Sequence, residues 1–133
     1  MLFLSEQWIL VSVLAVLVSA LMFVESKRGG KALTMHQVTM LVNKGEAVVL
    51  DIREAKDYKA GHIVDAINIP QQKLAKRVSE LEKHKDKVVV IVDKMGQGVG
   101  AAAKTLQDQA FSVNRMKGGM MEWTGQNLPV VKG

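Results

Sequence analysis

The segment VVVIVDKMGQGVG, residues 88–100, decides the fold class. Its first five residues are all β-branched, and such a short apolar run is typical of a strand buried on both faces of a parallel sheet. The run ends at an aspartate, and a loop with several glycines precedes a helical pattern. In an open parallel α/β sheet, ligands bind outside the carboxyl ends of the strands. We therefore expect the functional loop here, formed by Asp93, Lys94, Met95, Gly96, Gln97 and Gly98.

Strand and helix patterns alternate around this segment. A second apolar run, Ala47–Leu50, ends at Asp51 and predicts another buried strand. Thr34 and Gln37 form a capping box that predicts the start of a helix, and Lys44-Gly45 predicts its end. This βαβ alternation predicts an α/β domain. The remaining segments are a helix through Leu74, Val78 and Leu81, a helix at 101–109 and a strand at 113–116.

The N-terminal segment predicts a membrane anchor. Trp8 to Val24 is a run of 17 residues without a charge, which as a helix spans roughly 25 Å of a roughly 30 Å hydrocarbon core. No basic residue precedes the run, whereas three follow it, at positions 27, 28 and 31. The positive-inside rule then places the N-terminus outside and the rest of the chain in the cytoplasm, at the inner membrane of a bacterium.

The alternative for this segment is a cleaved signal peptide, because residues 18–20 resemble a small-residue cleavage site. The basic region that precedes such a peptide is missing, so we favour an anchor that crosses the membrane once. The predicted organisation is an anchor at residues 1–25, a linker at 26–31 that contains a Gly-Gly pair, and a folded domain at 32–133.

Composition narrows the possible chemistry. The 133 residues include no cysteine, which excludes disulfides, thiolate metal sites, iron–sulfur clusters and cysteine nucleophiles. The formal net charge of +5 lies entirely on the part from Lys31 onward. Residues 73–87 hold six basic and three acidic residues, which form either a solvated helix face or a surface for anionic headgroups. We expect no metal, no cofactor and no nucleic-acid partner.

Five short motifs occur in one order along the chain. The motifs are Asp51-Ile52-Arg53, Gly61-His62-Ile63, Ala66-Ile67-Asn68-Ile69-Pro70, Gly118-Gly119 followed by Trp123, and Leu128-Pro129-Val130. In this order they resemble the rhodanese homology domain, also called the rhodanese-like family. The resemblance covers roughly residues 32–131 and implies a mostly parallel five-stranded sheet flanked by helices, here preceded by one transmembrane helix.

The resemblance also implies which chemistry is missing. Active members carry sulfur as a persulfide on a cysteine at the end of the central strand, and that position is Asp93 here. A carboxylate cannot form a persulfide, so the chain resembles a membrane-anchored bacterial member without the catalytic cysteine. We expect Asp93 to satisfy the loop N–H groups itself, as an N-cap does. The resemblance implies mainly structural roles for Asp51, Arg53, Gly61, His62, Gly118, Gly119 and Trp123.

Two other activities fit parts of the loop. Asp93 could accept a phosphoryl group, helped by Asp51 and Lys117, although Met95 stands where a second acid would be expected. Glycines 96, 98 and 100 suggest a dinucleotide loop, but their spacing is GxGxG.

Four methionines and Trp123 lie in segments expected near this loop, and they form either an adaptable docking surface or part of the core. These methionines are Met95, Met116, Met120 and Met121.

The function that we expect is that of a catalytically inactive module at the cytoplasmic membrane. It would bind or regulate another protein, including a membrane protein reached through the helix. The first alternative is sulfur handling together with a cysteine of a partner. The second alternative is an anion or lipid-headgroup sensor that uses the loop N–H groups and Lys94.

Overall fold

The computed structural model describes residues 2–28, 31–96 and 98–133, and in the N-terminal helix it describes the side chains of residues 7–21. The helices are α1 (Leu2–Arg28), α2 (Met35–Asn43), α3 (Ala55–Ala60), α4 (Leu74–Arg77), α5 (Gly100–Asp108) and α6 (Gly119–Gly125). The strands are β1 (Lys31–Leu33), β2 (Ala47–Asp51), β3 (Ile67–Asn68), β4 (Val88–Val92) and β5 (Ser112–Met116). Two 3₁₀ segments, Gln71–Lys73 and Val78–His84, flank α4.

Within the described residues the strands form one five-stranded sheet in the order β1-β5-β4-β2-β3. Every neighbouring pair is parallel. The α/β fold with a parallel five-stranded sheet is thus confirmed. β4 is the central strand, and its last four residues are fully buried because helices cover both faces. The carboxyl end of β4 therefore lies in the middle of the row formed by the carboxyl ends of the five strands.

Helices form a layer on each face of the sheet. On one face, α4, the 3₁₀ segment after it and α5 bury apolar residues against β2 and β4. On the other face, α2 and α6 cover the same strands with a second cluster. The first cluster includes Leu74, Val78, Leu81, Ala102 and Leu106, and the second includes Met35, Val38, Met116, Met120 and Trp123.

The start of α2 shows how closely local sequence determines this part of the fold. Thr34 Oγ1 accepts the N–H of Gln37 at 3.1 Å, and Gln37 Oε1 accepts the N–H of Thr34 at 2.9 Å. The helix ends at Asn43, Lys44 is its C-cap residue, and Gly45 follows with a φ of +73°. The predicted capping box and the predicted end of the helix are both confirmed.

The segment between β3 and β4 differs in detail from the helix that Leu74, Val78 and Leu81 predict. It consists of a short α-helix between two 3₁₀ segments. Leu74, Val78 and Leu81 are nevertheless all buried in one cluster. A single apolar stripe is therefore sufficient to hold a helical segment of mixed type against the sheet.

The N-terminal region also differs from the predicted boundaries. α1 continues through Arg28, and β1 begins at Lys31, so the structure leaves only Gly29 and Gly30 between the two elements, and both lie outside the described residues. In the described part of the chain, no helix meets the length and apolarity needed to cross a membrane. The predicted transmembrane span is not supported by this finding.

Candidate functional site

The loop that follows β4 folds around the side chain of Asp93. One carboxylate oxygen accepts the backbone N–H of Gly96, and the other accepts the backbone N–H of Gly98 at 2.6 Å. Gly96 has a φ of +82°, which lets the loop reverse direction inside this short span. The loop therefore wraps its own N–H groups around a carboxylate, and Gln97, which was predicted for the same loop, lies outside the described residues.

The start of α6 holds this loop in place from the other side. Gly118 and Gly119 both have positive φ, +75° and +59°. A Cβ at Gly119 would lie 2.5 Å from the carbonyl oxygen of Asp93 and 2.7 Å from the nitrogen of Gly96. The next two N–H groups, of Met120 and Met121, donate to the carbonyls of Asp93 and Lys94 at 2.8 Å each. The glycine pair thus allows a backbone-to-backbone contact that no side chain would permit.

A buried ion pair lies at the end of the neighbouring strand, β2. Arg53 donates through Nε and Nη2 to both carboxylate oxygens of Asp51, with the shortest distance at 2.7 Å. The side chain of Asp51 is 1% exposed and that of Arg53 is 11% exposed. The same guanidinium donates to the carbonyl of Gly61 at 2.8 Å. Arg53 therefore ties the end of β2 to the Gly61-His62 loop.

The ion pair and the Asp93 loop lie at the same end of the sheet, where the parallel strands finish. Asp51 is the register partner of Val92, and the N–H of Ile52 donates to the carbonyl of Val92 at 3.0 Å. A shallow cleft of about 260 Å³ is lined by both Arg53 and Lys94. The sequence-based expectation that both motifs lie at the carboxyl ends of parallel strands agrees with this placement.

A family model described as "Rhodanese-like domain" matches residues 34–126 of the chain. The chain belongs to the rhodanese-like domain family. The matched residues include β2, β4, the Asp93 loop and α6. The family predicted from the short motifs is therefore confirmed.

Several known proteins are similar to most of the chain. The uncharacterized protein YibN of Escherichia coli (strain K12) is 42% identical over 132 residues, which is 98% of this chain and 90% of the relative. The HTH-type transcriptional regulator Rv0324 of Mycobacterium tuberculosis is 34% identical over 77% of this chain and 45% of its own length. A solved rhodanese-related protein from Thermoplasma volcanium, 25% identical, covers 77% of this chain and 99% of its own with a TM-score of 0.69.

In this rhodanese-like domain the second acid of the phosphoryl hypothesis is not available. Both oxygens of the Asp51 carboxylate are bound by Arg53, and its Oδ1 also accepts the backbone N–H of Arg53 at 3.0 Å. Among the residues that the structure describes, no group of three or more metal-binding side chains is found. Asp51 is therefore not a free carboxylate that could assist Asp93 in phosphoryl transfer.

His62 is held by three contacts. Its ring stacks on Tyr58 with centroids 3.7 Å apart, and its Nδ1 lies 2.8 Å from the carbonyl of Tyr58. A carbonyl only accepts hydrogen bonds, so Nδ1 carries the proton. The backbone of His62 also pairs with Val131 through two bonds of 2.9 Å. His62 therefore fastens the C-terminal segment to the Gly61-His62 loop.

Trp123 fastens the same C-terminal segment from α6. Its indole N–H donates to the carbonyl of Pro129 at 3.0 Å, and its ring belongs to the cluster beneath α2. A Cβ at Gly61 would contact Val130 at 3.4 Å, so the segment also packs closely at that point. Arg53, His62 and Trp123 thus link the end of β2, the Gly61-His62 loop, α6 and the C-terminal segment to one another.

The four methionines divide into two pairs. Met116 and Met120 are buried in the core, whereas Met95 is 49% exposed and Met121 is 61% exposed. Met95 belongs to the Asp93 loop, and the backbone of Met121 is bound to the carbonyl of Lys94. The prediction that the methionines fill the core therefore holds for Met116 and Met120. Met95 and Met121 are instead exposed at the Asp93 loop, and we call this pair the rim.

Two residues of the site were not predicted from the sequence. Tyr58 stacks on His62 and donates its hydroxyl to the carbonyl of Ala66 at 2.6 Å; burial, and then the charges of Asp51 and Asp65, raise its pKa. Gln71 places its Oε1 about 4.0 Å from the Cβ position of Gly98. The only sequence signal for Tyr58 was its spacing of four residues from His62, and Gln71 follows directly after the motif that ends at Pro70.

Proposed function

We propose that the chain is a non-catalytic rhodanese-like module that binds another protein at a membrane surface. The observation that carries the proposal is the bonding of the Asp93 carboxylate to the N–H groups of Gly96 and Gly98. By its resemblance to active members, this is the position of the sulfur nucleophile. A carboxylate fills the N–H cradle with a fixed negative charge and supplies no sulfur. The loop would then serve as a rigid surface instead of a catalytic centre.

Attachment to the membrane through α1 is part of the proposal. Ten large apolar side chains between Trp8 and Leu21 are 47% to 71% exposed. Because they are nearly consecutive, they surround the helix instead of forming one face, and nothing in the described part of the chain covers them. A lipid environment would remove this surface from water. The basic residues after the run favour a cytoplasmic domain with the N-terminus on the other side.

Met95 and Met121 are the proposed contact residues for a protein partner. Met95 is exposed within the Asp93 loop, and Met121 is exposed where α6 is hydrogen-bonded to that loop. Methionine adapts well to different apolar partners. The relative that is named as a transcriptional regulator carries a similar domain within a longer chain. That arrangement supports a binding or regulatory role for this type of domain.

A sulfur-transfer assay tests the absence of catalysis. The full chain, purified in mild detergent, is incubated with thiosulfate and cyanide, and thiocyanate is measured. We expect no turnover above background for the natural chain or for Asp93→Ser, and turnover for Asp93→Cys, which places a thiol in the same N–H cradle. Robust turnover by the natural chain would overturn the proposal. Turnover that needs an added cysteine-bearing protein would support sulfur handling with a partner instead.

A capture experiment tests the binding role. Partners that co-purify with the full chain are compared with those of Met95→Glu/Met121→Glu and of the control Met40→Glu, which changes a methionine on α2 that is 43% exposed. We expect the rim variant to lose a partner that the control retains. An unchanged set of partners in all three samples would remove the rim from the proposal.

A further inference from the structure

The helical segment between β3 and β4 presents a basic face to solvent. Leu74, Val78 and Leu81 point into the core, so the lysines between and beyond them lie on the outer side. Lys73, Lys76 and Lys83 are exposed, and Lys87 is half-buried. We call the set Lys73, Lys76, Lys83 and Lys87 the basic face.

The acids of this segment do not neutralise the basic face. Glu80 is bound by Arg77 at 2.5 Å, and Glu82 is bound by Lys85 at 3.4 Å. Among the described residues, Asp86 is then the one acid of the segment with no cation bound to it. Within the same residues, none of the four lysines of the basic face forms an ion pair. The segment therefore keeps a local excess of positive charge.

The excess positive charge affects the pKa of His84. Burial lowers the pKa of its imidazole, and the charges of Lys83 and Lys87 lower it further, against the opposing charge of Asp86. The neighbouring lysines thus act on His84 in the direction expected of a positive local potential. The direction of this pKa shift agrees with the excess positive charge, which follows from the ion-pair distances alone.

The basic face belongs to the helical layer that α1 contacts. α1 contacts α5, and α5 packs against α4. α4, the following 3₁₀ segment and α5 share one apolar cluster on the same face of the sheet. If α1 enters a membrane, this layer of the domain is the layer nearest to the lipid headgroups.

We propose that the basic face binds the anionic headgroups of the membrane to which α1 attaches the chain. The inference rests on the membrane attachment in the proposed function and adds an orientation to it. A surface lysine near an anionic leaflet contributes about fivefold in affinity, so four contribute up to several hundredfold. Lysine is a point charge without a fixed hydrogen-bonding fork, which suits mobile headgroups. The single arginine of the segment is already bound to Glu80, and no exposed aromatic ring accompanies the lysines for base stacking.

Lysine footprinting of the full chain in nanodiscs tests the inference. One preparation contains only phosphatidylcholine, and the other contains phosphatidylcholine with phosphatidylglycerol. After brief acylation, mass spectrometry compares the four lysines of the basic face with the control lysines Lys44, Lys56, Lys59 and Lys132. We expect severalfold slower labelling of the basic face in the anionic discs only, and recovery in high salt. Equal labelling in both discs would overturn the inference while leaving the membrane attachment intact.

The two proposals fail in different ways in this experiment. A chain that stays with anionic discs but leaves neutral ones supports the basic face and overturns the anchor. A chain that leaves both discs overturns both proposals. A further arm adds soluble polyuridine RNA to the neutral discs, and protection of the basic face there but not in anionic discs would assign the face to nucleic acid.

A pair of charge variants provides a matched control. Lys73→Gln/Lys76→Gln/Lys83→Gln/Lys87→Gln removes the basic face, and Lys44→Gln/Lys56→Gln/Lys59→Gln/Lys132→Gln removes four positive charges elsewhere. The distribution of each chain between neutral and anionic discs is measured at equilibrium. We expect the first variant to lose the preference for anionic discs by at least tenfold and the second to keep most of it. Equal losses would show that total charge, and not this face, determines the preference.

Discussion

Oδ2 of Asp93 lies 2.6 Å from the backbone nitrogen of Gly98, five residues further along the chain. This bond and the bond to Gly96 close a loop after β4 in which the N–H groups of Gly96 and Gly98 are already satisfied. An anion from solution would have to compete with a carboxylate that is covalently part of the chain. These two N–H groups therefore need no ligand from solution.

Asp93→Asn should loosen this loop without unfolding the domain. The amide keeps one acceptor oxygen but turns an NH₂ group toward one of the two backbone donors, and an unmade bond of this kind costs about 1–3 kcal/mol. We expect the amides of Gly96 and Gly98 to exchange with deuterium at least fivefold faster, with β4 amides unchanged. Unchanged exchange at both glycines would show that the carboxylate does not hold the loop.

Arg53→Ala should strongly destabilise the chain. The change leaves the carboxylate of Asp51, which is 1% exposed, buried without its cation, and breaking such a pair typically costs about 3–5 kcal/mol. The measurement is the urea midpoint of the full chain in mild detergent. Arg77→Ala, which removes an exposed ion pair with Glu80, is the control and should leave the midpoint almost unchanged. Similar losses in both variants would contradict the special role of the buried pair.

Gly119→Ala should destabilise the contact between α6 and the Asp93 loop. The new Cβ would meet the carbonyl oxygen of Asp93 at 2.5 Å, and the φ of +59° is unfavourable for alanine. Clash and backbone strain together suggest a loss of about 2–4 kcal/mol. Gly125→Ala, where a Cβ meets nothing within 4 Å, is the matched control on the same helix. Equal unfolding midpoints for the two variants would argue against the close approach.

Oxidation should separate the two pairs of methionines. Met95 and Met121 are exposed, whereas Met116 and Met120 are 1% and 2% exposed. With limiting hydrogen peroxide, peptide mass spectrometry should find sulfoxide at the first pair at least tenfold sooner, because access to the sulfur controls the reaction. Comparable rates at all four sites would mean that the core beneath α6 opens readily.

Stability should fall as the pH drops below about 6.5, in part through His84. The pKa of this histidine is lowered in the folded chain by burial and by Lys83 and Lys87, so the unfolded chain takes up the proton first as the pH falls. The contribution is present above the ordinary value of 6.5 and is lost just below it. Urea midpoints at several pH values should show a shallower decline for His84→Gln than for the control His36→Gln. Parallel declines would exclude His84 as a source.

Most of the fold could be predicted because local patterns and tertiary structure agree. The β-branched run of β4 suits a buried central strand of a parallel sheet. The capping box at Thr34 depends only on Thr34 and Gln37, which are three residues apart. β1 could not be predicted, because three residues of ordinary propensity become a strand only through pairing with β5. α1 continues to Arg28, past the residues predicted for the anchor, because residues 25–28 are polar yet compatible with a helix.

The site was predictable in position but not in its bonds. Asp93 was expected to satisfy loop N–H groups, but the sequence could not show that Gly119 must approach its carbonyl so closely. Tyr58 was missed because its role depends on a ring stack with His62 that arises from the α3 turn. Contacts of this kind depend on tertiary packing, and spacing along the chain only permits them.

The pairing of β1 with β5 sets the order of events during synthesis. Lys31 is the register partner of Asn114, and its N–H donates to the Asn114 side chain at 3.1 Å, so the first strand of the sheet completes its pairing only after the last strand has been made. Because α1 precedes both strands, it leaves the ribosome while the sheet is still incomplete. The N-terminal helix is thus free to make its own contacts before the rest of the chain has folded.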